Sequence, residues 1–175
     1  MRTHAARLYV SPRTRPLTAE EQEVRRIAYA LKTAEPEAVA IAAREMARLI
    51  DGPCWLVPVP TSRGSITPNL ALALEIRKHA PGARVAPHLY RVRPVPSSCE
   101  RHRRALGAVP VAEHHMERRG PPLTVRPLYF VDNVTTSGNT LEAAHRAFGF
   151  GEGLVYADAS GTEWLQQMAR AMREA

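Results

Sequence analysis

The stretch that decides the fold is Leu128-Tyr129-Phe130-Val131-Asp132-Asn133-Val134-Thr135-Thr136-Ser137-Gly138-Asn139-Thr140-Leu141. Four apolar residues typical of a buried strand lead to a carboxylate. Small hydroxyl, amide and glycine residues follow, and a helix is predicted over residues 140–148. In open α/β sheets, ligands lie beyond the carboxyl ends of the strands. The stretch therefore predicts an α/β fold and the place of a ligand in it.

The residues that follow the predicted strand suit a phosphate group. A helix N-terminus offers unpaired N–H groups and the positive end of the helix dipole, and Gly138 lets the backbone approach an anion closely. Asp132 stands where it can accept hydrogen bonds from sugar hydroxyls. Three hydroxyl donors surround the glycine: Thr136, Ser137 and Thr140. An ordinary capped turn needs one such residue, so we interpret residues 135–140 as a phosphate cradle.

The rest of the chain alternates between predicted strands and helices, as expected of an α/β layer fold. Three further apolar segments have strand character: residues 6–10, 54–57 and 154–157. Helices are predicted to begin at capping residues or prolines: Thr18 with Glu21, Pro36, Thr67 with Pro68, and Ser160 with Glu163. We expect one domain over residues 1–175, with a mainly parallel central sheet flanked by helices.

Composition excludes several classes of protein. The chain has 175 residues, of which 45% are hydrophobic and 23% charged, so global disorder is not expected. The longest apolar run, residues 38–43, is too short to cross a bilayer, and no signal-type segment follows Met1. We therefore expect a cytoplasmic protein without a membrane partner. Cys54 and Cys99 form no zinc or disulfide pattern, and Cys54 is predicted to be buried.

Basic residues are unevenly distributed. The formal net charge is +7, and all but two of the 24 basic residues are arginines, which grip planar anions. Residues 84–126 are irregular, with short extended pieces expected at 85–90 and 109–112, and we interpret them as a mobile or functional flap. Within them, residues 91–104 hold five arginines against the single acid Glu100: Arg91, Arg93, Arg101, Arg103 and Arg104. They either close over an anion or form a solvated basic face. The nearby histidines, His102, His114 and His115, match no compact zinc motif.

The segment from Val131 to Thr140 resembles the signature of type I phosphoribosyltransferases, which bind 5-phosphoribosyl 1-pyrophosphate (PRPP). That signature has an apolar strand, two adjacent acidic residues and a Thr/Ser-Thr/Ser-Gly-x-Thr loop that holds the 5-phosphate. Asp132 matches the first acidic position. Asn133 stands at the second, where the family has an acid, and the loop positions are matched by Thr136, Ser137, Gly138 and Thr140.

A second region supports this resemblance. Trp55-Leu56-Val57-Pro58-Val59-Pro60-Thr61-Ser62-Arg63-Gly64 again runs from a strand into a polar loop. It is similar to the pyrophosphate loop of the ComF-type branch, which is linked to DNA uptake and to amidophosphoribosyl chemistry. The resemblance covers about residues 53–160. The cysteine-rich zinc module of many ComF-type proteins has no counterpart in this sequence.

The resemblance implies a role for each matched residue. Asp132 and Arg63 are the expected catalytic residues, and Asp132 is expected to meet Mg²⁺, directly or through water. Pyrophosphate is expected at Thr61, Ser62, Arg63 and Gly64. PRPP is expected at Asp132, Asn133, Thr135, Thr136, Ser137, Gly138, Asn139 and Thr140. Arg101 or Arg104, in the flap, is expected to close over the bound PRPP.

The implied function belongs to nucleotide metabolism: transfer of a 5-phosphoribosyl group to a nitrogen nucleophile, with release of pyrophosphate. Because Asn133 brings no charge, a second function stays open, a non-catalytic PRPP-sensing or nucleic-acid-binding regulator on the same fold. PRPP or another phosphorylated ribose is the expected ligand. Nucleic acid and a second copy of the chain stay open as partners, and the sequence does not identify the acceptor.

Overall fold

The computed structural model describes residues 1–12, 15–97, 100, 101, 104, 106–123 and 126–160. Within these residues, the strands in chain order are β1 (Thr3–Leu8), β2 (Trp55–Pro58), β3 (Arg84–Val85), β4 (Leu89–Arg91), β5 (Met116–Arg118), β6 (Leu128–Thr135) and β7 (Glu152–Asp158). The helices are α1 (Ala19–Ala30), α2 (Pro36–Ala47), α3 (Thr67–His79) and α4 (Asn139–Phe148), with 3-10 helices at Leu31–Thr33 and Val111–His114.

Five strands form a sheet in the order β1-β7-β6-β2-β3, and each pairs in parallel with its neighbours. The central strands are apolar because both faces of a parallel sheet are covered. The register pairs Val57 with Phe130 and Val131 with Leu154. The chain is therefore an α/β protein with a parallel sheet flanked by helices, as the sequence predicts.

Two clusters of buried side chains cover the two faces of the sheet. Helices α1, α2 and α3 pack on one face, where Leu31, Met46 and Leu72 are almost fully buried. Helix α4 packs on the other face through Leu141 and Ala144. The predicted capping box at the start of α1 is confirmed: Thr18 caps the helix, and the Glu21 side chain bonds back to the Thr18 backbone N–H. Cys54 is buried, as predicted.

The chain reverses its winding direction between β2 and β6. From β2 it passes through α3 to β3 at one edge, whereas from β6 it passes through α4, on the opposite face, to β7. The loops after β2 and β6 therefore diverge to opposite faces and leave a crevice between them. Such a switch point is where open α/β sheets bind ligands.

Part of the predicted flap belongs to the packed structure. Strands β4 and β5 form an antiparallel hairpin, and Leu89 and Ala86 are buried in the same cluster as α4. The hairpin therefore packs against the core, within the residues 84–126 that the sequence predicts to be a mobile or functional flap. The extended piece predicted at 109–112 is wrong in part, because a 3-10 helix occupies Val111–His114.

Several predicted boundaries shift. Strand β1 is Thr3–Leu8 rather than residues 6–10, because it pairs with β7 from Thr3 onward. Strand β6 does not end at Asp132 but continues to Thr135, since β7 pairs with it throughout. Ile66, not Thr67, is the N-cap of α3.

Some predictions fall outside the described residues: those for Cys99, His102, Arg103 and the final helix after Ser160. Among the described residues, no helix is long and apolar enough to cross a membrane.

Candidate functional site

A cleft of about 620 Å³ lies at the carboxyl ends of the parallel strands. It joins the loop after β2, the end of β6 with the loop that follows, and the N-terminal turn of α4. Further lining residues come from α1 and from the segment after β4. The cleft thus occupies the switch point of the sheet, and its size suits a small-molecule ligand.

The loop after β6 presents a helix N-terminus to this cleft. Gly138 is the N-cap of α4 in a left-handed conformation, with φ of 76°, which glycine adopts without strain. A Cβ built at Gly138 would meet no heavy atom within 4 Å. The Asn139 side chain ties the loop down by donating from Nδ2 to the Val109 carbonyl at 2.8 Å. The predicted cradle residues, 135–140, all line the cleft.

Asp132 is the only carboxylate among the described residues that line the cleft. Its Oδ1 accepts hydrogen bonds from the Asn133 backbone N–H at 2.8 Å and from Asn69 Nδ2 at 3.0 Å. Asn69 also donates to the Val59 carbonyl at 2.7 Å, so the amide is fixed between two strands. Desolvation in the cleft raises the pKa of Asp132 to about 6, against the opposing effect of these donors and of Arg91.

Asn133 also faces the cleft, at the position where the resemblance leads one to expect a second acid. Its Oδ1 accepts a hydrogen bond from the Val134 backbone N–H at 2.8 Å. A carboxylate of the same length could accept this bond equally well. The backbone at this position therefore does not require an amide.

The loop after β2 forms a tight turn on the opposite side of the switch point. The Thr61 N–H donates to the Ser65 carbonyl at 2.8 Å, and the Gly64 N–H donates to the Thr61 carbonyl at 2.9 Å. Gly64 has φ of 89°, which favours glycine. Thr61, Ser62 and Arg63 line the cleft, whereas Gly64 shapes the turn from outside it. The Arg63 side chain is exposed at the cleft rim.

Arg91 is the most buried arginine or lysine among the described residues of the cleft wall, with only 9% of its surface exposed. Its Nε donates to the Thr61 carbonyl at 2.8 Å, and its Nη1 donates to the His114 carbonyl at 2.7 Å. It forms no ion pair with a carboxylate of the described residues. Burial lowers the pKa of its guanidinium. A buried cation usually has an anionic partner. Asp132 lies near enough to offset this charge in part, so Arg91 adds positive potential to the cleft without a direct ion-pair partner.

His114 packs beside Arg91 and is also buried. Its Nδ1 lies 3.2 Å from Arg91 Nη1. Burial, together with repulsion from the Arg91 guanidinium, lowers the pKa of His114 to about 4. The imidazole is therefore neutral at pH 7 and leaves the charge of the cleft to other residues.

The cleft is electropositive overall. Three described lining residues carry positive charge at pH 7, and one carries a carboxylate. The cations are Lys32, Arg63 and Arg91. An anionic ligand would be attracted to such a cleft, since its walls focus the field of these charges.

Helix α1, the 3-10 helix after it and the residue that follows β1 supply an aromatic wall at one end of the cleft. Tyr9, Tyr29 and Lys32 line it, and Lys32 Nζ lies 4.6 Å from the centre of the Tyr29 ring. These residues were not predicted from the sequence to be functional. They stand about 100 residues or more before the predicted cradle, and no local motif connects them with it.

The structure brings together most, but not all, of the residues predicted for the site. Arg101 and Arg104 do not line the cleft, and Arg101 Nε instead donates to the Gly107 carbonyl. Sequence analysis counted Arg91 only among the flap arginines. A signal for it existed, because alternation along a strand places residue 91 on the same face as Leu89.

The donor set at Asp132 bears on the expected Mg²⁺. Among the described residues, no group of three or more metal-ligating side chains occurs. One carboxylate beside amide oxygens fits a magnesium ion that is held chiefly by phosphate oxygens and water. It does not fit an ion held by protein ligands alone.

No protein-family model matches this sequence, and no curated protein or solved structure is significantly similar to it.

Proposed function

We propose that this protein binds PRPP in the switch-point cleft and is a phosphoribosyltransferase of the type I fold. The observation that carries the proposal is the meeting of two loops in one cleft, residues 61–63 and residues 135–140. Asp132 and Arg91 line the cleft as well. Arg91 is buried and makes no direct ion pair with a carboxylate of the described residues. A phosphorylated ribose with a second, pyrophosphate anion matches this arrangement of donors and charges.

Each loop has a distinct part in the proposed binding mode. The 5-phosphate would lie on the N-terminus of α4, where backbone N–H groups and the helix dipole favour an anion. Thr136, Ser137 and Thr140 would donate hydroxyl hydrogen bonds to it. Asp132 would accept from the ribose hydroxyls, and the fixed amide of Asn69 would keep its carboxylate in place.

The leaving pyrophosphate would lie at residues 61–63, in the turn that Gly64 shapes. In the reaction, the acceptor nitrogen forms a bond to C1 of the ribose as the C1–O bond to pyrophosphate breaks. The nitrogen then loses its proton to solvent, and pyrophosphate leaves with the electron pair. Arg63 at the rim would neutralise charge that develops on the leaving group, and Arg91 would add a fixed positive potential. Bound Mg²⁺, held by pyrophosphate oxygens with Asp132 near it, would add further neutralisation.

The proposed activity is tested by measuring pyrophosphate release from PRPP with a panel of nitrogen acceptors, and PRPP affinity by calorimetry. Binding together with release in the presence of one acceptor supports a transferase. Asp132→Ala should then reduce turnover far more than it changes the free energy of unfolding. A chain that does not bind PRPP with or without Mg²⁺ contradicts the proposal.

A second candidate function is a PRPP-sensing or nucleic-acid-binding regulator. Two observations favour it: Asn133 removes a charge from the ribose side, and Arg104 is exposed outside the cleft. In this case PRPP binds without turnover. Changing Arg101 and Arg104 to glutamine should weaken single-stranded DNA or RNA binding and reduce its salt dependence. A filter-binding titration at two salt concentrations tests this, and no binding at low salt would eliminate the nucleic-acid role.

A further inference from the structure

The end of the cleft formed by β1 and α1 has a composition unlike the rest. Its described lining residues are Tyr9, Ala28, Tyr29 and Lys32. Two of these are aromatic, one is small and one is cationic. The phosphate loops, by contrast, contain no aromatic side chain. Since the proposed binding mode of PRPP uses the loops after β2 and β6 together with Asp132, Asn69 and Arg91, this end of the cleft has no role in it.

The fold places this aromatic end across the ribose position from the pyrophosphate loop. Along the carboxyl edge of the sheet the order is β1, β7, β6, β2. The Tyr9 N–H donates to the Asp158 carbonyl at 2.8 Å, and Asp158 pairs with Thr135. Tyr9 is therefore two strand spacings, about 10 Å, from the end of β6. Both ends of that interval line the same cleft.

Displacement at C1 requires the nucleophile and the leaving group on opposite sides of the ribose. With pyrophosphate at the loop after β2, the incoming nitrogen must approach from the side of β1. The aromatic end of the cleft is therefore the acceptor end, provided that the proposed function holds.

The charge at this end indicates what the acceptor carries. Lys32 Nζ lies over the Tyr29 ring, and Lys32 forms no ion pair with a carboxylate of the described residues. Arg25 stands behind the wall with its guanidinium carbon 5.6 Å from the same ring. Hydrogen bonds from Arg25 and Tyr9 lower the pKa of Tyr29. Two cations thus converge on one aromatic side chain at the cleft wall.

We propose that this end of the cleft binds a planar aromatic acceptor that carries a carboxylate. The ring of the acceptor packs against Tyr9 and Tyr29, and its carboxylate pairs with Lys32. This inference rests on the proposed function, because the acceptor attacks a ribose held by the loops after β2 and β6. A neutral ring would gain the same packing but not the charge pairing.

Two matched pairs of probes test it: orotate against uracil, and anthranilate against aniline. Each pair shares a ring and differs by a carboxylate. Calorimetry is carried out on the full chain saturated with ribose 5-phosphate. The expected result is that the acid of at least one pair binds at least tenfold more tightly than its neutral partner. Comparable affinity within both pairs, or no binding by either acid, overturns the proposal.

The chain offers a matched control for Lys32. Its only other lysine, Lys78, lies exposed on α3 and pairs with Glu75. Lys32→Gln should weaken binding of the acid about tenfold and binding of ribose 5-phosphate much less, whereas Lys78→Gln should change neither. Equal effects of the two substitutions overturn the assignment of Lys32. Tyr29→Leu, at a side chain 52% exposed, should weaken both members of the pair that binds, and unchanged affinity for both overturns the packing part.

The two proposals fail in different ways. If the chain does not bind ribose 5-phosphate, the proposed function is contradicted at the phosphate loop. If it binds ribose 5-phosphate but neither carboxylated ring, only the acceptor inference is contradicted.

Discussion

Asn69 Nδ2 donates a hydrogen bond to Asp132 Oδ1 at 3.0 Å, although the two residues are 63 positions apart in the chain. The same amide donates to the Val59 carbonyl at the end of β2. One side chain of α3 therefore links the two strands that flank the switch point. This link holds the carboxylate in a desolvated position, with the consequence that its protonation affects folding.

The first prediction concerns the pH dependence of stability. The pKa of Asp132 is raised from its ordinary 3.8 to about 6 in the folded protein. The folded state thus binds the proton more tightly than the unfolded state. The contribution of the Asp132 proton to the free energy of unfolding is fully present below about pH 4, and it is lost as the pH rises to about 6. The loss amounts to roughly 3 kcal/mol.

Chemical denaturation of the native protein and of Asp132→Asn between pH 4 and 7 measures this effect. His114 acts in the opposite direction, since its lowered pKa, about 4, costs stability as the pH falls from 6.5. That contribution is common to both proteins, so their difference isolates Asp132. The native protein should lose stability relative to Asp132→Asn as the pH rises. A difference that does not vary with pH would show that Asp132 is solvated.

The second prediction concerns Arg91, whose guanidinium ties the β4–β5 hairpin to the loop after β2. Arg91→Met should lower the free energy of unfolding by about 1–3 kcal/mol, because it takes the donor from the His114 carbonyl and leaves the Thr61 carbonyl with the Gly64 N–H alone. It should also weaken pyrophosphate binding, measured by calorimetry at a temperature where the variant is folded. Arg93→Met is the control, since Arg93 is exposed two residues later and outside the cleft. If both substitutions have equal effects, the buried charge has no special role.

The third prediction concerns Asn133. Asn133→Asp should keep the hydrogen bond from the Val134 N–H and add a second carboxylate beside Asp132. Attraction for a divalent cation should rise, because Coulomb energy scales with charge. PRPP affinity should then depend more strongly on Mg²⁺, as measured by calorimetry with and without the ion. Asn133→Ala, which adds no charge, is the control. A weaker or unchanged magnesium effect in Asn133→Asp would mean that residue 133 does not face the metal and ribose.

The sequence predicted the α/β class and the cradle because both depend on local pattern. An apolar strand, a glycine with hydroxyl neighbours and a helix start stand within 14 consecutive residues. The length of β6 was not predictable in this way. Asp132 and Asn133 read as the start of a loop, but pairing with β7 extends the strand to Thr135.

The remaining parts of the site depend on contacts between distant segments. Asn69 reaches Asp132, and Arg91 reaches Thr61 from 30 residues away. Neither side chain stands in a motif. The arginine-rich composition of residues 84–126 favoured a solvated flap. However, Leu89 is buried, and Arg91 lies on the same face of the strand and is buried too. Tyr9 and Lys32 join the cleft only because β1 is placed beside β7.

The central claim is that a sugar phosphate binds at the N-terminus of α4, and a pair of glycines at the two ends of this helix tests it most directly. Gly138 and Gly149 have φ of 76° and 82°, and a Cβ at either would meet no heavy atom within 4 Å. Substitution by leucine should therefore lower the free energy of unfolding by a similar amount at both positions, about 1–2 kcal/mol. Only Gly138 lines the cleft.

The measurement is the calorimetric affinity of ribose 5-phosphate for Gly138→Leu and Gly149→Leu. The account predicts that Gly138→Leu weakens binding at least tenfold, because the side chain occupies the position of the phosphate, while Gly149→Leu binds like the native protein. Native affinity in Gly138→Leu, or an equal loss in both variants, would contradict the phosphate site and the function built on it.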